Sequence, residues 1–237
     1  MAERSARQRT FGQGQPSGRA PTGESIAVLG LGRFGGAVAS ELVRLGYDVL
    51  GVDHRETAVQ YYAPTITHVV QADITSTDAL RQLGVDEVNH AIVAVGSDLE
   101  ASILATAALD ELGIDNIWAK AVTKQHGRIL QRVGAHHVVY PEHDMGHQVA
   151  HMIGGRILDW FQLDERFALV ETAVPAALIG KRLADVGVRE KHNVTIVCVK
   201  PMGGTFADAT VDTMLARGDI LLIAGETSAA EAFARLA

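Results

Sequence analysis

One cysteine stands among the 237 residues. Cys198 lies in the apolar run VTIVCVK, which excludes a disulfide within the chain and points to a small buried side chain in a reducing compartment. Long hydrophobic runs are missing as well. Although 47% of the residues are hydrophobic, Asp, Glu, Lys, Arg or His interrupts every stretch before the ~20 apolar residues of a membrane span are reached. A basic block is also absent. With 21 basic against 28 acidic residues and a formal charge of -7, the chain repels a phosphate backbone, so no nucleic-acid partner is expected. The first 23 residues are rich in Arg, Gln, Gly, Ser and Pro and have no apolar core of a secretory signal; residues 1–23 read as a disordered tail. Together these absences predict a soluble cytoplasmic protein of one large or two small domains.

From Ser25 onward, strand-length apolar runs alternate with segments of helical period. The strand candidates are SIAVLG, YDVLGVD, THVVQAD, HAIVAV, NIWAKA and HHVVYP, with helices expected to begin near Arg33, Glu56, Ser76, Leu99, Lys124 and Asp144. Short gaps between them fit βαβ units, so the fold class is α/β, a Rossmann-type doubly wound parallel sheet over residues 24–160. A long helix, DMGHQVAHMIGGRILDWF, broken at Gly154 and Gly155, is expected to leave this domain as a crossover. Residues 161–237 read as a small α+β domain. Its expected strands are FALVETAV, VTIVCVK and DILLIAG, its helices lie near Lys181 to Val186 and Ser228 to Leu236, and it turns at Met202-Gly203-Gly204 and Arg217-Gly218-Asp219.

The first strand runs into Gly30-Leu31-Gly32-Arg33-Phe34-Gly35, a GxGxxG fingerprint at a strand-to-helix turn. Gly30 permits the tight turn, Gly32 lets backbone N–H groups approach phosphate, and Gly35 lets the helix pack against the strand. The helix N-terminus turns its positive end to the phosphates. Asp53, at the end of the second strand, suits the ribose hydroxyls and repels a 2′-phosphate, which favours NAD or an adenosine nucleotide over NADP. Two more loops belong to the same crevice, QADIT with Asp73 and Ile74, and AVGSDLEAS with Gly96. Asp73 either contacts the nucleotide or caps the next helix, and the pattern leaves both open. Lys120, ending the fifth strand, either neutralises phosphate or reaches solvent. His54, beside Asp53, completes the candidate set. His143, His147 and His151 share one helical face, a spacing open to a transition metal or to an interface.

The strings GLGRFGG, AVGSDLEAS, NIWAKA and PEHDMG resemble the regulator-of-potassium-conductance family, and within it the single-unit Ktr type, from Ser25 to the C-terminus. The resemblance implies a cytosolic gating-ring subunit at the inner face of the membrane. Such a subunit assembles from dimers into an octamer and switches a separate potassium channel with ATP versus ADP. It implies that Arg33 reaches the γ-phosphate of ATP across a subunit interface, as a guanidinium fork suits. Glu142 would be a ligand for magnesium or calcium, and Arg189 and Ile196 would meet cyclic di-AMP. Trk-type relatives carry two units and respond to NAD(H), whereas this chain has no internal repeat, so NAD(H) is the alternative ligand. An NAD-dependent dehydrogenase ranks lower, because the C-terminal remainder offers no acid or base constellation for hydride transfer, and no catalysis is expected. A redox-sensing repressor ranks third, for want of a basic helix-turn-helix.

Overall fold

The computed structural model describes residues 24–237; the expected disordered tail lies outside the described residues. The chain divides into two compact units between Pro141 and Glu142.

In the first unit, strands β1 (Ser25–Leu29), β2 (Asp48–Asp53), β3 (His68–Gln71), β4 (His90–Val93), β5 (Asn116–Lys120) and β6 (His137–Val139) alternate with helices α1 (Arg33–Arg44), α2 (Glu56–Tyr62), α3 (Thr77–Gln82), α4 (Leu99–Glu111) and α5 (Lys124–Arg132). The six strands are parallel in the order β3-β2-β1-β4-β5-β6, with the reversal of direction between β1 and β4. That is the Rossmann order, and its switch point opens a crevice at the carboxyl ends of the strands. Helix starts are written in side chains: Ser76, Asp98 and Thr123 accept the N–H groups of Ala79, Ala101 and His126 at the heads of α3, α4 and α5. Helix ends are written just as locally. Gly46, Gly84, Gly113 and Gly134 each follow a Leu or Val C-cap and take positive φ, which stops α1, α3, α4 and α5. Both faces of β1 are buried, Ala27 and Leu29 in one core cluster and Val28 in another, as expected for a central parallel strand covered on two sides.

The second unit begins in helix α6 (Pro141–Met152), followed by β7 (Ile157–Gln162), β8 (Phe167–Ala173), α7 (Leu183–Val186), α8 (Val188–His192), β9 (Val194–Lys200), β10 (Ala207–Asp208), β11 (Ile220–Glu226) and α9 (Thr227–Ala234). Its antiparallel sheet has the order β10-β9-β11-β8-β7. The long crossover helix expected up to Phe161 ends at Met152. Gly155, at φ +72°, turns the chain, and ILDWFQ becomes strand β7, paired with β8. The sequence boundary at residue 160 therefore moves about twenty residues earlier. The reason is packing: Met152 lies against the C-terminal core and the Gln148 amide donates to Asp159 Oδ1 at 2.6 Å, so α6 and β7 belong with the C-terminal sheet. No helix among the described residues is long and apolar enough to cross a membrane.

Candidate functional site

The carboxyl ends of β1, β2, β4 and β5 converge on the glycine turn. Gly30 leaves β1 with φ +94°, a conformation costly for any residue bearing Cβ, and its N–H donates to the Val52 carbonyl at 2.7 Å. A Cβ on Gly30 would also stand 2.7 Å from Val95 Cγ2. Gly35, in the first turn of α1, packs so closely that a Cβ there would meet the Gly30 carbonyl oxygen at 1.9 Å. Gly32 is different, since a Cβ there would meet nothing within 4 Å. Two of the glycines are thus demanded by the protein itself, whereas Gly32 faces open space at a helix N-terminus, where the first N–H groups of α1 have no partner within the helix. This is a cradle that fits a phosphate.

Asp53 is 3% exposed and fully engaged. Its Oδ2 accepts the Leu31 N–H at 2.7 Å and Arg55 Nη2 at 2.9 Å; its Oδ1 accepts the Arg55 N–H at 2.9 Å and Nε at 3.0 Å. Burial pushes the Asp53 carboxyl up, but the Arg55 side-chain and backbone hydrogen bonds, the Leu31 N–H and the Arg55 charge together outweigh it and hold the group below the usual carboxylate range. Sequence reasoning had this acid free for ribose hydroxyls and missed Arg55. The signal was an arginine two residues past the strand-end acid, close enough to fold back on it. His54 lies beside the pair, Nδ1 3.7 Å from Asp53 Oδ1.

Lys120 is buried, at 9% exposure. Its Nζ stands 5.7 Å from the centroid of the Phe34 ring and 3.2 Å from where a Gly96 Cβ would be, so Lys120, Phe34 and Gly96 meet over the glycine turn. Arg33 is exposed and, with Gly32, Arg55 and Tyr62, lines a cavity of about 350 Å³. Asp73 does not cap α3, a task done by Ser76. Its Oδ1 accepts the N–H and hydroxyl of Thr75 at 2.9 and 2.7 Å, bonds that lower its pKa. Ile74 is buried in the main core, so its side chain serves packing.

Glu142 is exposed in the first turn of α6, away from the N-terminal glycine turn in sequence and in a different compact unit. The histidine row divides. His143 and His147 stack at 4.5 Å, whereas His151 stacks on Trp160 at 3.8 Å with Nδ1 3.1 Å from Glu231 Oε1. Three or more metal-ligating side chains do not converge among the described residues. In the second unit, Arg189 and Ile196 line one cavity of about 330 Å³ with Val188 and Val211, and Arg189 Nη2 donates to Thr195 Oγ1 at 3.0 Å.

With this geometry established, known proteins supply the comparison. The chain matches the TrkA-N domain over residues 26–141 and the TrkA-C domain over residues 167–237. Over 203 residues it is 36% identical to Ktr system potassium uptake protein A of Bacillus subtilis (strain 168), covering 85% of this chain and 91% of that protein. Ktr system potassium uptake protein C of the same organism is 35% identical over 206 residues, 86% of this chain and 93% of that one. Among solved structures, the GsuK RCK domain superposes with a TM-score of 0.62 at 19% identity over 94% of this chain and 50% of that one. The GsuK channel bound to NAD gives 0.62 at 18%, covering 94% and 41%. The chain thus spans half or less of the length of these solved structures, and the likeness is one of fold.

Proposed function

The chain belongs to the family built from TrkA-N and TrkA-C domains, close in sequence to Ktr system potassium uptake proteins, and from that premise we propose that it is the nucleotide-sensing regulatory subunit of a potassium uptake channel. The observation that carries the reading is the open cradle above Gly32, closed below by glycines that tolerate no Cβ and flanked by Asp53 and Lys120. In this reading the N–H groups at the head of α1 and the Lys120 ammonium hold phosphates, and Gly96 lets Lys120 approach the turn. ATP and ADP are the ligands that set the state of the channel, with NAD(H) as the second candidate. The γ-phosphate falls to Arg33, whose exposure suits a ligand held by a neighbouring copy. A ligand exerts control only through different affinity for two states, and the γ-phosphate is the feature that distinguishes ATP from ADP.

The regulator works as a homo-oligomer, an octameric ring of dimers on the cytoplasmic side of the membrane. Supporting this, α6 buries none of its residues within its own chain, and Met145, Val149 and Ile153 follow one another at four-residue spacing with 56%, 48% and 84% exposure. Glu142, at the head of the same helix, offers a hard oxygen suited to magnesium or calcium. The cavity holding Arg189 and Ile196 is the place for cyclic di-AMP, the guanidinium meeting phosphate and the aliphatic wall meeting a base. No catalytic role is assigned to any residue.

The test is titration of nucleotide-free protein with ATP, ADP, NAD and NADH, for the wild type and Arg33→Ala, alongside solution scattering and channel flux. Binding of ATP and ADP, with ATP selectively weakened by Arg33→Ala and scattering that differs between the two nucleotides, is expected. Preference for NADH would move the reading to a redox-responsive regulator. Identical scattering and flux with every nucleotide would sink it.

A further inference from the structure

An acid at the end of the second Rossmann strand ordinarily accepts the ribose hydroxyls and turns away a phosphate on the ribose 2′ carbon. Asp53 is poorly placed for either task. A carboxylate offers about four acceptor directions, and here Leu31 N–H, Arg55 N–H, Arg55 Nε and Arg55 Nη2 take them at 2.7 to 3.0 Å. The fork of Arg55 also cancels the negative charge that would repel a phosphate.

The wall above that pair carries guanidinium groups. Arg55 keeps about half of its side-chain surface exposed, 49%, and shares with Gly32 and Arg33 an open cavity of about 350 Å³ that Tyr61 and Tyr62 also line. Two guanidinium groups line it and, among the described residues, no carboxylate does. Asp53 lies beneath Arg55 rather than on the wall. The cavity joins the glycine turn to the loop after β2, which is the side of a Rossmann site where the adenosine ribose is held and where an arginine accommodates a 2′-phosphate.

We infer that this cavity is an anion subsite for a phosphate on the ribose 2′ carbon, so that the chain accepts adenine nucleotides of the 2′-phosphorylated class, NADP(H) among them, with Arg55 as the specificity-determining residue. This rests on the nucleotide reading above, and it reverses the preference that Asp53 alone suggests in the sequence. Arg55 supplies its remaining Nη hydrogens: with Nε and Nη2 bonded to the carboxylate the guanidinium plane is fixed, so a phosphate meets a pre-oriented donor rather than a free side chain.

The probes are 5′-AMP, adenosine 2′,5′-bisphosphate and adenosine 3′,5′-bisphosphate, titrated by calorimetry into the nucleotide-free full chain at one ionic strength. The 2′,5′-bisphosphate is expected to bind about tenfold or more tighter than 5′-AMP, the gain of one charge-assisted contact. The 3′,5′-isomer, equal in charge, is expected to lack that gain. Arg55→Ala should erase the ratio between 2′,5′-bisphosphate and 5′-AMP, and Arg55→Lys should restore part of it, which separates recognition from a folding defect. If 5′-AMP binds and the 2′,5′-bisphosphate binds no tighter, or the two isomers bind alike, the subsite is refuted while the nucleotide reading stands. If Arg55→Ala strengthens every nucleotide equally, Arg55 is a plug over the ribose acid and the inference falls. If none of the three probes nor ATP or ADP binds, both readings fall together.

Discussion

Gly35 and Gly32 stand three residues apart and are required by different things, which a pair of alanine substitutions separates. At Gly35 the new methyl would meet the Gly30 carbonyl oxygen at 1.9 Å, its carbon at 3.1 Å and Ala94 Cβ at 2.7 Å. Two of those atoms are backbone, so no rotamer change relieves the overlap, and the head of α1 must retreat by about 1.4 Å to restore a normal carbon-to-oxygen contact of ~3.3 Å. Overpacking of this kind costs about 1–3 kcal/mol, of which alanine's better helix propensity returns about 0.5–1 kcal/mol. The net loss lowers the melting temperature of a unit of this size by roughly 3–12 °C. At Gly32 a methyl meets nothing within 4 Å, and the backbone at φ -77°, ψ -167° suits any residue. Gly32→Ala should therefore carry no steric cost and lose only the N-cap preference for glycine over alanine, a smaller drop in melting temperature than that of Gly35→Ala.

Ligand response does not separate the two variants. ADP at a hundred times its dissociation constant stabilises the wild type by about 2.7 kcal/mol, readable as a rise in melting temperature by differential scanning fluorimetry. Both variants should lose most of that rise. In Gly35→Ala the N–H groups at the head of α1 have moved beyond hydrogen-bond range of a phosphate, and in Gly32→Ala the methyl fills the phosphate's space. A Gly32→Ala protein that keeps the full ADP-induced rise would refute the placement of phosphate over this turn. A Gly35→Ala protein with wild-type melting would refute the backbone contact from which the cost is worked.

Three further outcomes concern buried polar groups. Asp53 has a folded-state pKa below its unfolded one, so its stabilising contribution is present above the unfolded value and is lost as pH falls through the folded value; Arg55→Ala removes the main lowering contact, and urea melts from about pH 7 to 3 should place its acid transition at higher pH than the wild type's. His126 is 3% exposed, its Nδ1 accepts the Val122 N–H at 3.4 Å, its Nε2 is buried without a partner among the described residues, and burial lowers its pKa from 6.5. The unfolded chain takes up that proton first, so stability should decline as pH drops below 6.5, and His126→Gln should flatten the slope in denaturant melts between about pH 7.5 and 5.5. In the second unit, Asp219 is 5% exposed and accepts the N–H groups of Ala216 at 2.8 Å and Met202 at 3.3 Å; Asp219→Ala should cost about 1–3 kcal/mol by urea unfolding.

The six parallel strands and the starts of the first five helices were legible because strand-length apolar runs, capping side chains and the Leu/Val-Gly stops are all local signals. Strand β7 was not. In ILDWFQ the apolar residues fit a helical period as well as a strand, and the preceding helix biases the reading; the deciding feature is the pairing of Trp160 with Val170 across the sheet, a contact with no local trace. Two-residue β10 is likewise defined only by its partner, Ala207 opposite Val199. At the candidate site, the glycines and Asp53 could be placed from spacing alone. The occupancy of Asp53 could not, because spacing locates an acid and says nothing of which donors reach it.

That occupancy changes how a substitution at Asp53 has to be interpreted. The Leu31 N–H, between the two glycines that shape the turn, is tied to Asp53 Oδ2 at 2.7 Å, so the carboxylate braces the phosphate cradle before any ligand arrives. Removing it leaves a backbone donor at a buried residue, Leu31 at 2% exposure, without its acceptor and frees the Arg55 fork at the same time. Lost binding in Asp53→Ala would then report a loosened turn as much as a missing ribose contact. Substitution at Arg55 removes a guanidinium that faces the cavity and leaves the Leu31 N–H its acceptor, which makes Arg55, rather than the acid it grips, the residue whose variants better separate ribose-side recognition from the integrity of the cradle.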